Sequence, residues 1–241
     1  MNLEERIFTK LFMNQATVIG KRQIAEKIFH FTLEVNINFT ELTPGQHLRL
    51  LLFPNQKGKL RDRVRTYSIW RCQQDGKKSY IDIAVCAHTD GPGSQWAEIT
   101  EIGSQVLISS PLGKFTLDTS MPKHLFIGDI TALSHFYCFT HHLTPQHEMD
   151  GIIYGKDEKQ LFTDFDGTLG FTFFQKTAHG SDTSLIAYCR SLEIEHNTMV
   201  YIGGDGHMCM ELNSLFIKEL GLPRKQVKVK PFWILGKTGL E

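Results

Sequence analysis

Four consecutive residues, Arg65-Thr66-Tyr67-Ser68, combine side chains that a flavin site requires. A guanidinium grips a phosphate through two parallel hydrogen bonds, a phenol ring stacks on a flat isoalloxazine, and a short hydroxyl reaches the N5 edge of that ring. On a strand, Arg65 and Tyr67 share one face and Ser68 points to the other. The same run also suits a charged edge strand with a half-buried tyrosine, so a flavin site needs a second motif in its support.

That second motif lies at residues 88–97 (HTDGPGSQWA), between a strand-like run and a helical one. Pro92 stands near the first helical position, and the small residues around it leave backbone N–H groups bare. A helix N-terminus with free N–H groups binds anions, which suits a pyrophosphate. An ordinary capped helix entry is the alternative reading of these residues.

The elements that carry these motifs change character near the middle of the chain. Short β-rich runs separated by turn residues fill the first half, and they favour an antiparallel barrel or sandwich. The predicted strands are 29–35, 47–53, 63–71, 80–87 and 106–109, and one helix runs from Pro92 to about Glu101.

The second half alternates between strands and helices, which predicts βαβ units and a mostly parallel sheet. Its predicted strands are 124–127, 151–154, 171–175, 199–202 and 227–233, with helices at 131–142, 181–191 and 207–220. We therefore expect an α+β chain of two domains, an antiparallel β-barrel over 1–119 and an α/β parallel-sheet domain over 120–241.

Composition limits the partners and the compartment. The 26 basic and 26 acidic side chains balance, so no global charge argues for nucleic acid. The five cysteines are odd in number and lack CxxC spacing, which favours reduced thiols over a disulfide framework or a zinc ribbon. The N-terminus lacks a signal-peptide pattern, and no apolar run reaches the ~20 residues that span a bilayer. We expect a cytoplasmic protein without a membrane span.

The order of the motifs resembles the siderophore-interacting proteins, or ferric-siderophore reductases, a branch of the ferredoxin-NADP reductase superfamily. That family carries R-x-Y-[ST], an acidic-apolar strand ending in His, and D-G-P-[AG]-S-x-W-A, here residues 65–68, 82–88 and 90–97. A G-D-E-T-A-L turn, a G-E-type strand end and an aromatic-Trp segment follow, here 128–133 (GDITAL), 203–205 (GGD) and 232–233 (FW). The resemblance covers nearly the whole chain, and GPxSxWA is its most specific part.

The resemblance implies a ferredoxin reductase-like fold and an FAD-dependent reductase that passes electrons from NADPH or NADH to a ferric siderophore, releasing Fe(II). Hydride would reach flavin N5 and single electrons would pass to Fe(III), with Tyr67 and Ser68 as catalytic residues. Trp233 would approach the other side of the flavin. The implied cofactor-binding residues are Arg65, Thr66, Tyr67, Ser68, His88, Asp90, Gly91, Pro92, Gly93, Ser94, Trp96, Asp129, Thr131, Ala132, Gly204, Asp205 and Trp233.

Three positions of the second domain depart from the family pattern. Ile130 replaces the acidic residue of the GDETAL turn, Asp205 replaces the usual Glu, and Ile234 stands where the family has a cation. These leave open whether NADH, NADPH or reduced ferredoxin is the donor. The alternatives are another FAD-dependent reductase of the superfamily, with a ferredoxin, quinone or flavin acceptor, and a flavin- or siderophore-binding protein whose nicotinamide site has decayed.

A basic series with period two precedes the first motif. If the chain is extended there, Lys57, Lys59, Arg61, Arg63 and Arg65 project on one face. Lys57, Lys59 and Arg61 are then candidates to attract an anionic iron chelate by their local field. A solvated hairpin face is the alternative.

Two other clusters suggest chemistry that we do not expect here. Residues 164–168 (DFDGT) resemble the first motif of haloacid-dehalogenase-type phosphatases, but Cys209 stands where the later acidic pair needs its second Asp. We predict an acidic turn. His141, His142 and His147 lie near a helix end without convergent geometry, so we predict surface histidines and no protein-bound metal.

Overall fold

The structure, a computed structural model, describes residues 13–54, 59–176 and 183–236, without the side chain of Arg61. The chain divides into two compact units, the first ending at Thr116 and the second beginning at Leu117.

The first unit is built on one antiparallel sheet, in which the described strands have the order β4-β3-β7-β1-β2-β6-β5. The strands are β1 Met13–Ala25, β2 Ile28–Val35, β3 His47–Leu51, β4 Val64–Ser68, β5 Arg71–Asp75, β6 Lys78–Cys86 and β7 Gln105–Ser109. The outermost strands, β4 and β5, are joined by Ile69 and Trp70 alone, whose amides donate to the carbonyls of Gln46 and Asp82. This link between the two edges curls the sheet into the predicted antiparallel barrel.

Strand β1 is absent from the sequence-based prediction. Of its thirteen residues only Ala16 and Val18 are buried, so hydrophobic alternation is weak. Register shifts against β2 after Val18 and after Gln23 interrupt it further. The strand forms because it pairs with β2 on one side and β7 on the other, a tertiary cause that no local pattern reports.

Among its described residues the first unit has two helices, α1 Leu60–Arg63 and α2 Pro92–Ile99. Helix α1 contradicts the extended path assumed for the basic series, because residues in a helical turn do not alternate between two faces. Helix α2 packs Trp96 and Ala97 into the barrel core, among Phe31, Leu48 and Ile83.

The second unit holds a parallel sheet, in which the described strands have the order β10-β9-β8-β11-β12. The strands are β8 Lys123–Asp129, β9 Glu148–Gly155, β10 Thr172–Gln175, β11 Thr198–Asp205 and β12 Val227–Trp233, and the helices are α3 Leu133–Thr140, α4 Thr183–Ser191 and α5 Gly206–Ser214. A 3₁₀ turn, Ile130–Ala132, precedes α3, and a π turn, Leu215–Glu219, extends α5. The predicted parallel sheet is therefore confirmed.

The strand order reverses between β8 and β11, because β9 and β10 lie on one side of β8 while β11 and β12 lie on the other. Ligands of such sheets bind at the carboxyl ends of the strands beside a reversal of this kind. Asp129 ends β8 and Asp205 ends β11, so both aspartates stand at this point.

None of the described helices has the length and apolar composition needed to cross a membrane. No disulfide joins any of the five described cysteines, Cys72, Cys86, Cys138, Cys189 and Cys209.

Candidate functional site

Arg65 and Tyr67 lie on the core-side face of β4. In the β3–β4 ladder they stand opposite Leu50 and Leu48, which are buried in the barrel core. Directly opposite residues of an antiparallel pair share a face. A Cβ placed on Gly93 would lie 2.7 Å from Tyr67 Oη and 3.7 Å from Arg65 Cγ. The fold thus brings the two sequence motifs together at the first turn of α2.

The N-terminus of α2 suits an anion. Gly91 is its N-cap and offers no side-chain cap, Pro92 opens the helix, and the first turn has no acidic residue. The Arg65 side chain approaches this turn at Gly93. Its guanidinium donates from Nη1 to the Val64 carbonyl at 2.6 Å. An arginine side chain that passes uncapped N–H groups offers donors for a pyrophosphate, so the described residues fit FAD.

The segment before α2 is held by its own hydrogen bonds. Thr89 N donates to Ser94 Oγ at 3.3 Å, and Gln95 Nε2 donates to the Asp90 carbonyl at 3.0 Å. His88 and Asp90 are exposed, whereas Ser94 is buried. The turn is therefore shaped without using the first-turn N–H groups of the helix.

The Trp96 side chain is buried in the barrel rather than exposed to a ligand. Its side chain is 4% exposed, and its ring centroid lies 4.6 Å from that of Phe31. The indole anchors α2 to the barrel, which explains the tryptophan of the motif through packing.

Thr66 and Ser68 share the opposite face of β4 with Arg49 and His47 on β3. The Nε of Arg49 is buried and, among the described residues, has no hydrogen-bond partner. Arg49 is not among the residues predicted from the sequence, although the cation that alternates with buried leucines in HLRLL marks it. Next to Thr66 of the first motif, it is a cation available to an anionic ligand.

The basic series is divided by the structure. Lys57 and the side chain of Arg61 lie outside the described residues, and Lys59 is exposed. Arg63 is buried and donates to the carbonyls of Phe53 at 3.2 Å and Pro54 at 3.3 Å. The condition for a shared face, an extended chain through residues 57–65, is not met, because residues 60–63 form α1.

A second polar cluster lies at the carboxyl ends of β8, β11 and β12. Asp129 Oδ2 accepts from Asp205 N and from Trp233 Nε1, both at 2.7 Å. Its other oxygen accepts from Thr131 N at 2.8 Å and from the Thr131 hydroxyl. Burial raises the pKa of Asp129, while these four hydrogen bonds act in the opposite direction.

Asp205 caps α5, since its Oδ1 accepts from His207 N at 2.9 Å. Its Oδ2 lies 3.6 Å from Lys176 Nζ, and that ammonium also lies 5.7 Å from the ring centroid of Tyr154. The turns after β8 and β11 are thus both capped by carboxylates. Within the described ranges, this edge offers a pyrophosphate no bare helix N-terminus.

Two of the proposed nucleotide contacts serve packing instead. Ala132 is fully buried, and its Cβ lies where a Cβ on Gly128 would come within 2.7 Å. It presents no surface to a ligand, so its assignment to the cofactor is corrected. Gly204 has φ +109°, and a Cβ there would lie 2.5 Å from Asp129 Cγ.

Residues 164–168 form the predicted acidic turn. Asp164 N donates to the Thr168 carbonyl at 2.8 Å, and Asp166 Oδ1 accepts from Thr168 N at 2.9 Å. His141 Nε2 bonds Asp164 Oδ2 at 2.6 Å, whereas His142 Nδ1 bonds the Cys138 carbonyl. Among the described residues, no three His, Cys, Asp or Glu side chains are grouped to hold a metal ion.

Comparison with known proteins divides the chain near the boundary between the two compact units. Residues 15–117 match the family model described as oxidoreductase FAD-binding domain, and residues 121–236 match that of siderophore-interacting protein. The first part of the chain is thus similar to FAD-binding oxidoreductase domains, and the second part is similar to siderophore-interacting proteins.

The chain is similar to ferric vibriobactin reductase ViuB of Vibrio cholerae. The two are 28% identical over 149 residues, which cover 55% of this chain and 53% of ViuB. The chain thus spans about half the length of the curated relatives it matches.

Solved structures agree with the fold. The siderophore interacting protein from Acinetobacter baumannii has a TM-score of 0.77 at 18% identity, covering 93% of this chain and 91% of that one. A ferredoxin reductase in carbazole 1,9a-dioxygenase has a TM-score of 0.71 at 15% identity, covering 92% and 69%. The fold is ferredoxin reductase-like, as the motifs implied.

Proposed function

We propose that this protein reduces ferric siderophores through bound FAD, taking electrons from NAD(P)H and releasing Fe(II). The observation that carries the proposal is the meeting of Arg65 and Tyr67 with the uncapped start of α2 at Gly93. The name of the V. cholerae relative supports a ferric siderophore as the substrate.

The barrel residues have separate tasks in this proposal. Arg65 and the first-turn N–H groups of α2 hold the pyrophosphate, Tyr67 covers one face of the isoalloxazine, and Ser68 reaches its N5 edge. FAD supplies the ability to accept electrons in pairs and to pass them on singly. The chain contributes positioning and electrostatics.

Cations beside this site attract the iron chelate, whose hard oxygen ligands carry negative charge. Arg49 is the described candidate, because its buried Nε has no partner among the described residues. Lys57, Lys59 and Arg61 are the further candidates from the sequence. Each Fe(III) accepts one electron, and the resulting Fe(II) is held more weakly by hard oxygen ligands, so the siderophore releases it.

The electron donor has two candidates, a nicotinamide dinucleotide and reduced ferredoxin. Family resemblance favours NADPH or NADH at the strand reversal between β8 and β11. The carboxylates that cap both turns there instead favour a donor without a pyrophosphate, and reduced ferredoxin is that alternative.

The test begins with protein reconstituted with FAD under anaerobic conditions. We expect NADH or NADPH to bleach the flavin, and a ferrous-trapping dye to report Fe(II) when ferric chelates are then added. Bleaching only with reduced ferredoxin would assign the alternative donor. Bound flavin that is reduced yet delivers no electron to any ferric chelate in a panel would overturn the substrate, and transfer to a quinone or free flavin would assign the other reductase activity.

A further inference from the structure

Asp82 is a buried carboxylate on the face of β6 that points away from the barrel core. In the strand ladders it stands opposite Thr32 on β2 and Arg71 on β5, so the three side chains share that face. Asp82 Oδ1 accepts from the Thr32 hydroxyl at 2.7 Å, and its Oδ2 accepts from Arg71 Nε at 2.9 Å. The residue is 2% exposed. One carboxylate therefore joins three neighbouring strands.

A histidine completes the set of donors to this carboxylate. His30 Nε2 lies 2.7 Å from Asp82 Oδ1, and Arg22 Nε donates to His30 Nδ1 at 3.1 Å. A guanidinium can only donate, so His30 Nδ1 accepts, and its Nε2 carries the proton that Asp82 receives. Burial alone would raise the pKa of Asp82, but the hydrogen bonds to its oxygens lower it below its ordinary value. The cluster thus holds an ionised carboxylate whose two oxygens are both bonded.

The same aspartate holds the link between the two edge strands of the barrel. Strand β4 ends at Ser68 and β5 begins at Arg71, so only two residues join them. The Asp82 carbonyl accepts from Trp70 N at 2.9 Å, while its carboxylate holds the Arg71 side chain. The ring of His30 packs edge-on against the buried Trp70 ring, with centroids 5.6 Å apart. The backbone and the side chain of Asp82 therefore act on the same short segment.

We propose that Asp82 is a positioning residue, which fixes the Ser68 end of β4 where the isoalloxazine ring binds. The inference rests on the proposed function, in which Tyr67 and Ser68 contact that ring. Arg65 lies nearer the other end of the strand and approaches the first turn of α2 at Gly93. Asp82 therefore acts on the ring half of the FAD site and not on the pyrophosphate half.

The first test compares FAD with ADP, which carries the pyrophosphate but no flavin ring. Asp82→Asn keeps an oxygen for His30 and Thr32 but turns an amide N–H toward Arg71 Nε, so a donor faces a donor. The affinity for FAD should fall by about tenfold, whereas the affinity for ADP should stay that of the wild type. The absorption bands of the FAD that still binds should move toward those of free FAD. Titrations of the FAD-free full chain measure both affinities.

Variants at the partner of the carboxylate separate positioning from a general loss of stability. Arg71→Gln should repeat the loss of FAD affinity, and Arg71→Lys should recover part of it, because an ammonium keeps the charge. In the Arg71→Gln background, Asp82→Asn should add little, since the two act through one contact. Glu34→Gln is the matched control. It removes an ion pair of the same sheet, with Lys78 at 3.1 Å, and should change neither affinity.

Amide hydrogen exchange of the ligand-free chain gives a readout that needs no flavin. Asp82→Asn and Arg71→Gln should both speed exchange at the amides of Ile69 and Trp70, whereas Glu34→Gln should not. Equal losses of FAD and ADP affinity would overturn the proposal, because the whole site would then be disturbed. Unchanged FAD affinity and unchanged exchange in both variants would also overturn it.

The outcomes keep this proposal apart from the proposed function. A wild type that binds FAD and reduces ferric chelates, with variants that match it in every measurement, would reject the positioning role and leave the function standing. A wild type that binds no FAD would reject the function, and the role of Asp82 at the link would still be decided by exchange. Should Asp82→Asn fail to fold, Arg71→Gln decides, because the Arg71 side chain is 35% exposed.

Discussion

Tyr67 Oη occupies the space that any side chain at position 93 would need. A Cβ on Gly93 would lie 2.7 Å from that oxygen, which is closer than real Cβ atoms approach. Glycine at this point lets a phenol from β4 reach the first turn of α2. Two motifs that are separate in sequence become one surface through this contact.

Tyr67→Ala should weaken FAD binding by about tenfold or more, because the ring surface and its stacking energy are both lost. Tyr67→Phe keeps the ring and should retain most of the affinity. Titration of FAD-free protein with FAD measures both. Tyr188→Ala, at an exposed tyrosine of the second unit, is the control. Unchanged flavin content and turnover in Tyr67→Ala would contradict the assignment.

Arg65→Gln should reduce FAD affinity and also flatten its dependence on salt, since a guanidinium–phosphate contact is lost. The FAD affinity of Arg65→Lys should lie between those of the wild type and Arg65→Gln, because an ammonium keeps the charge but not the bidentate geometry. Dissociation constants at several ionic strengths decide this. Arg190→Gln removes an exposed ion pair with Glu219 and should change neither quantity.

Gly204→Ala should lower the free energy of unfolding by about 2–4 kcal/mol. Its φ of +109° disfavours a side chain, and the new Cβ would meet the Asp129 carboxylate at about 2.5 Å. Gly221→Ala is the matched control, because that glycine has φ +72° with no atom near its Cβ position. It should cost only about 1 kcal/mol, from backbone strain alone. Urea unfolding measures both losses of free energy. Equal losses in Gly204→Ala and Gly221→Ala would show that the contact between the new Cβ and the Asp129 carboxylate is relieved without cost.

Stability should fall as the pH drops below about 6.5, and His124 should account for part of that fall. Burial lowers the pKa of His124 and nearby His147 lowers it further, while the Asp118 carbonyl opposes both. The neutral ring donates from Nε2 to that carbonyl, and its buried Nδ1 has no partner among the described residues. The unfolded chain therefore takes up the proton more readily, and acid favours unfolding.

The contribution of His124 is at most about 1.4 kcal/mol per pH unit. Urea unfolding of the wild type and of His124→Gln between about pH 5 and 7.5 measures it. The variant should show a shallower slope, whereas His196→Gln, at an exposed histidine, should keep the slope of the wild type. Parallel curves for wild type and His124→Gln would rule out His124 as the cause.

Local patterns were sufficient where periodicity and turn chemistry are strong. The central strands of the parallel sheet, β8 and β11, contain buried apolar runs, and Gly221 with Pro223 marks the end of the last helical segment, so both could be predicted. Strand β1 could not, because long-range pairing rather than its own side chains makes it a strand. Helix α1 was missed for a related reason, since an alternating basic series favours an extended chain until tertiary contacts bury Arg63.

The sequence by itself determined the chemical groups of the proposed FAD site, the family resemblance and the two-domain order. Short motifs carry this information, because each needs a particular residue type at a fixed spacing. Only the tertiary structure decided how those groups are used. The sequence predicts separate nucleotide contacts at Asp129, Gly204, Asp205 and Trp233. In the fold, the Asp129 carboxylate instead accepts hydrogen bonds from the Asp205 amide and the Trp233 indole. Hydrogen bonds between residues distant in the chain depend on where strand ends meet in space, and no local spacing contains that information.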